Sequence, residues 1–175
     1  MRYGIEGLYL ELTKTIVITL LAIILGIFKE YLLILLLFNA IRFTAFGIHA
    51  SKGIYCWISS TITFIGMPFL CKYLVLSLSA RLIISSICLC IFLIHAPADT
   101  PKRPIIKKKK RIIYKLSTVF IALIYTICAI KINVNYVHNA FLASMIIQCI
   151  LIHPLTYKVF KTPYNNYKTY VSSSK

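Results

Sequence analysis

Residues 112–130 read IIYKLSTVFIALIYTICAI, a nearly unbroken apolar run. Crossing the hydrocarbon core of a bilayer takes about 17–25 such residues in a helix, so this stretch fits a membrane span. It has company. Apolar stretches also cover Thr15–Phe28, Tyr31–Ile41, Ile54–Leu70, Tyr73–Ile94 and Asn139–Ile152. The first, second and last of the six are short for a span, which points to tilted partners or partly re-entrant segments. Backbone irregularity at membrane depth survives where protein or a wet cavity covers it. The expected fold is an all-α integral membrane protein of about six transmembrane helices, with four or five as the alternative.

Composition agrees. The 175 residues are 59% hydrophobic with a mean hydropathy of +0.83; soluble domains lie nearer about 45–50% apolar. The length suits one domain, read as a polytopic membrane domain over 1–160 and a polar tail over 161–175, the latter expected to be loosely ordered. Against 20 Lys and Arg stand four acids, Glu6, Glu11, Glu30 and Asp99, leaving a net charge of +16. Long apolar runs separate the basic residues, whereas a nucleic-acid binder gathers them on a soluble face. The pattern therefore implies an anionic membrane surface and no nucleic acid. The six cysteines form no C-x-x-C pair and no zinc spacing; Cys71, Cys88, Cys90, Cys128 and Cys149 sit in or beside apolar runs as packing residues. Thr15–Phe28 lacks an A-x-A cleavage site and is read as retained.

Charge sets the expected orientation. The segment 95–111, HAPADTPKRPIIKKKKR, and the tail lysines 158, 161, 168 and 175 belong inside, because Lys and Arg accumulate in short cytoplasmic loops. Counting spans back from them puts Arg42–Gly53 and the N-terminus, with Arg2 and Lys14, on the cytoplasmic face. Arg81, inside an apolar stretch, is either functional or snorkels to the outer interface.

The chemistry-bearing stretch is residues 39–57, NAIRFTAFGIHASKGIYCW. It places His49, Cys56 and Arg42 close together, with Gly47 and Gly53 beside them. A thiol works as a nucleophile through its thiolate, and an adjacent imidazole can take the proton; Arg42 and Lys52 supply favourable charge. On one straight helix His49 and Cys56 would share a face but lie about 10 Å apart along the axis, so a dyad requires the backbone to turn between them, with Lys52-Gly53 the expected break. A carboxylate orienting His49 would come from Asp99 first, then Glu6 or Glu11. On chemistry alone an interfacial His and a packed Cys are the favoured reading over a dyad.

The stretch resembles the accessory gene regulator B (AgrB) family, whose members carry an Arg, a GG-x-H-A segment and a Cys seven residues after the His. Arg42, Gly47, His49, Ala50 and Cys56 match; Phe46 departs, standing where the family usually has the first Gly. A second hallmark, a proline-rich loop before a basic run, matches APADTPKRPI over 96–105 followed by Lys107–Lys110. The resemblance implies a membrane cysteine endopeptidase with Cys56 as nucleophile and His49 as general base. Arg42, Gly47 and Gly53 would support the site. The partner would be an AgrD-type propeptide with an amphipathic leader and an acidic tail, cleaved through an acyl-enzyme and cyclised to a thiolactone or lactone for quorum sensing. A homodimer is implied; no metal or cofactor is. Lys107, Lys108, Lys109 and Lys110 would draw the acidic tail, or mark topology and bind anionic lipid. Alternatives from other classes are a non-enzymatic membrane protein that binds or exports peptide, and a basic membrane scaffold.

Overall fold

The computed structural model describes residues 2–48, 53–100 and 104–167. Among them it is helical throughout, with no strand and one isolated bridge between Phe46 and Ala98. The elements are α1 (Arg2–Ile24), α2 (Phe28–Ala45), α3 (Gly53–Thr61), a π-helical turn (Ile62–Gly66), α4 (Met67–Tyr73), α5 (Leu78–His95), α6 (Lys108–Lys131), α7 (Asn135–Ile152) and α8 (Pro154–Val159). Each of the six expected apolar stretches falls mainly on helix, with α3, the π turn and α4 continuous in sequence and residues 74–77 non-helical before α5. Among the described residues three helices, α5, α6 and α7, are long and apolar enough to cross a membrane. The others fall short for visible reasons. In α1 the apolar part is Leu12–Ile24, and α2 carries Lys29, Glu30 and Arg42 within its 18 residues.

The short connections at one end are closed by side chains that take up helix-end carbonyls, which cannot be left bare away from water. Lys72 Nζ donates to Gly26 O at 3.2 Å. Asn139 Nδ2 donates to Cys71 O (3.1 Å) and Leu74 O (2.7 Å), securing the end of α4. Arg81 Nη1 reaches Ala129 O at 3.0 Å and Ile132 O at 3.5 Å. The guanidinium thus caps the end of α6, a structural role that neither sequence reading of Arg81 named.

The core sits around α7. Phe92 from α5, Ala122 and Tyr125 from α6, Ile41 and Ala45 from α2, and Met145, Cys149 and Ile152 from α7 form one buried cluster. Small residues, Ala140, Ala143 and Ser144, let neighbours approach α7 closely, as membrane helix interfaces require. A smaller cluster of Ile18, Ala22, Ile27 and Tyr31 seats α1 on α2. At the other end of the bundle, the turn after α2, the loop after α5 and the end of α7 converge.

Candidate functional site

That convergence is built on the turn after α2. Phe46 takes φ 57° and Gly47 φ 108°, which breaks the helix after Ala45. Consequently Arg42 and Cys56 do not lie on one continuous helix. The turn is held from three directions. Gly47 N donates to Ala98 O (2.9 Å) and Ala98 N to Ala45 O (3.0 Å), so the loop after α5 lies along it. Ile48 N donates to Leu151 O at 3.1 Å, and Gln148 Nε2 donates to Phe46 O at 2.6 Å, both from α7. Arg42 folds back from α2: Nη1 donates to Phe46 O (2.9 Å), Nη2 to Ile48 O (2.7 Å) and Gly47 O (3.3 Å). The planar guanidinium fork can serve several acceptors at once.

Glycine at 47 has a steric cause as well. A Cβ there would stand 2.8 Å from Arg42 Nη1 and 2.9 Å from Leu151 O. Phe46 adopts a left-handed φ that a glycine would take without cost, at the position where the resembled family usually has Gly; its ring packs edge-on against Tyr114 at 4.9 Å between centroids.

Between α1, α2 and α3 lies a cavity of about 320 Å³, within the range of about 300–1,000 Å³ usual for ligand sites. Cys56, half-buried, opens onto it beside Arg42, and Ile48, the residue before His49, forms part of the same wall. Asn39, Ser59, Ser60 and Thr63 add polar lining. Position 47 borders this wall through its contact with Arg42, and Gly53 opens α3. The structure thus brings Cys56, Arg42 and the chain leading to His49 to one cavity. His49 and Lys52 themselves lie outside the described residues.

Lys14 was legible in the sequence as a topology marker, yet it belongs to this cavity. It is 8% exposed, lines the space, and its Nζ stands 3.4 Å from Cys56 Sγ. A usable signal existed: Lys14, Ile18 and Ala22 recur at i, i+4 and i+8, and all three are buried. Lys14 therefore shares the packed face of α1.

Asp99 is buried too, and its surroundings are specific. Its Oδ1 accepts from Asn166 N (3.1 Å), its Oδ2 from Tyr167 N (2.8 Å), and its carbonyl from Tyr157 Oη (3.0 Å). The carboxylate anchors the stretch 161–167, which is therefore docked on the bundle and not loose. Burial and the Asp99 charge push the phenols of Tyr157 and Tyr164 above their usual range. Arg111 lies over the Tyr167 ring at 3.2 Å, completing the dock. Lys107 to Lys110 stand exposed at the start of α6 and do not line the cavity. Among the described residues no group of three or more His, Cys, Asp or Glu converges as a metal site.

Comparison with known proteins gives the chain's relatives. The profile of the family described as Accessory gene regulator B matches residues 1–152. A protein named AgrB-like from Clostridium acetobutylicum is 28% identical over 168 residues, covering 95% of this chain and 80% of the relative. A second AgrB-like protein, from Listeria innocua, is 28% identical over 176 residues, covering 97% and 83%. Accessory gene regulator protein B of Staphylococcus intermedius is 32% identical over 130 residues, covering 74% of this chain and 69% of the relative. No solved structure matches.

Proposed function

The chain belongs to the accessory gene regulator B family, and from that premise we propose that it is a membrane cysteine endopeptidase that matures a cyclic signalling peptide. Its place in quorum-sensing peptide processing follows from the family, and its membrane character from the family together with α5, α6 and α7. The substrate is an AgrD-type propeptide.

His49 takes the Cys56 thiol proton as sulfur attacks the carbonyl at the end of the signal sequence. The S–C bond forms, the C–N bond breaks, and His49 returns the proton to the departing amine of the acidic tail. A Cys or Ser within the peptide then attacks the thioester. That closes a thiolactone or lactone and restores Cys56. Gly47 and Arg42 hold the turn that leads into His49, and Gly53 starts the helix that presents Cys56.

The catalytic segment and both chain ends face the cytoplasm in this reading. An amphipathic leader lying in the interface plane arrives at the depth of residues 42–57. Lys107–Lys110 draw the acidic tail by a capture effect that salt weakens, and they also bind anionic lipid. Two copies form a homodimer. Asp99, engaged by the backbone of 166 and 167, serves the tail dock in place of the orienting role the sequence suggested.

The observation that supports this reading most is that Cys56, Arg42 and Ile48 line one cavity. The test is cleavage of the propeptide by purified protein in vesicles. Cys56→Ala and His49→Ala should each lower it by at least a thousandfold with abundance and insertion unchanged. Processing at the normal rate by Cys56→Ala would instead identify a peptide-binding, exporting or scaffolding protein.

A further inference from the structure

We propose that Lys14 is a third catalytic group of the Cys56 centre, its ammonium held beside the sulfur by α1 to stabilise the thiolate and the negative charge that follows it. This rests on the peptidase reading above.

Lysines are rarely buried without a task for their charge. On a membrane helix the usual outcome is snorkelling, with the stem along apolar surface and the head in water or at the headgroups. Lys14 does otherwise: it is 8% exposed and turns inward, to 3.4 Å from Cys56 Sγ. The position is set by packing. Ile18 and Ala22, one and two turns further on the same face, are 2% and 0% exposed and seat α1 on Ile27 and Tyr31. Lys14 therefore approaches α3 along a fixed line, 42 residues away in sequence from the thiol it meets.

The second cation of the cavity is engaged differently. Arg42 points its Nη1 and Nη2 at the carbonyls of Phe46, Gly47 and Ile48, which assigns it to the shape of the turn. Lys14 faces the reacting atom. A positive group adjacent to a cysteine is a physical route to a nucleophilic thiolate, and a compact ammonium on a four-carbon stem is suited to following charge over a short distance. During acylation the negative charge passes from sulfur to the carbonyl oxygen as the S–C bond forms. As the carbonyl re-forms the C–N bond breaks, its electron pair leaves with the nitrogen, and His49 supplies the proton. Lys14 keeps its own proton throughout; it acts by charge, so the reaction stays balanced without it.

The experiment uses the full chain in nanodiscs without propeptide, at constant pH. Carbamidomethylation of Cys56 by iodoacetamide is followed by site-resolved mass spectrometry, with free glutathione in the same tube as the rate reference. Lys14→Gln and Lys14→Met should slow Cys56 modification at least tenfold relative to glutathione. Lys14→Arg, which keeps the charge, should stay within about threefold of the parent. Propeptide cleavage should fall in the same order. Wild-type alkylation in Lys14→Gln overturns the proposal. So does an equal loss in Lys14→Arg and Lys14→Gln, which would assign Lys14 to shape and not to charge. Because alkylation needs no substrate, it reports on Lys14 even if Cys56→Ala goes on processing propeptide and the peptidase reading fails.

Discussion

The two walls of the cavity are made differently. One is the turn 45–48, pinned by backbone or side-chain hydrogen bonds from α2, from α7 and from the loop at Ala98. The other is α1 with α3. Its links include one hydroxyl pair, Thr19 Oγ1 and Tyr31 Oη at 2.9 Å, the Lys14–Cys56 contact, apolar packing of Ile18 and Ala22 and ring packing around Phe64 on the π turn. Directional bonds in a low-dielectric interior fix a segment to a fraction of an ångström; ring contacts permit sliding. A π-helical turn directly after the helix that carries Cys56 adds to the contrast, since such turns mark functional places in helices. We therefore predict that the wall leading to His49 is the firm one and that the wall carrying the thiol gives way for a peptide.

Damage to the firm wall should cost the most. Gly47→Ala forces a side chain into φ 108° and into Arg42 Nη1 and Leu151 O. Backbone strain of this kind costs about 1–3 kcal/mol, before the contacts are counted. Cleavage should fall thirtyfold or more while Cys56 alkylation stays within about twofold, because α1 and α3 are untouched. Equal losses in both measurements would mean that the two walls move as one body, and the contrast would be lost.

Arg42→Lys sharpens the same point with a smaller effect. One ammonium cannot match the fork that reaches three successive carbonyls, and its different reach lets the turn relax. Gln148 still donates to Phe46 O, so part of the support persists. Cleavage should drop about tenfold, in kcat more than in KM, since the turn positions the reacting groups and does not provide the bulk of the binding surface.

The contrast also explains what could be read in advance. Apolar runs are a one-dimensional signal, and α5, α6 and α7 follow from them directly. Arg42 and Cys56 are near neighbours in the chain, so their meeting at one cavity was visible in a short motif. Phe46 marked a departure in that motif, and the structure gives it the left-handed φ that glycine adopts freely. Contacts across the fold were out of reach. Lys14 meets Cys56 over 42 residues, and Asp99 meets the tail over 67 and 68. Asp99 drew attention as one of few acids beside a catalytic motif, but scarcity says nothing about direction: its oxygens face two backbone N–H groups that polar residues 161–167 gave no reason to place there. Lys14 had a periodic signal, one turn before Ile18 and two before Ala22, which charge counting overrode.

The mildest intervention falls on the yielding wall. Tyr31→Phe removes one hydroxyl from the α1–α2 contact, and Thr19 Oγ1 keeps its bond to Thr15 O at 2.7 Å. No donor is stranded, so the loss should stay near about 0.5–1.5 kcal/mol, seen as a modest drop in thermal unfolding temperature. If α1 gives way to admit peptide, cleavage should change less than twofold, and α1 and α3 should crosslink less readily with propeptide than without it. A tenfold loss of cleavage from this single hydroxyl would show that α1 must be held as firmly as the turn at 45–48. The thiol side would then be a second rigid wall, and substrate would have to enter by another route.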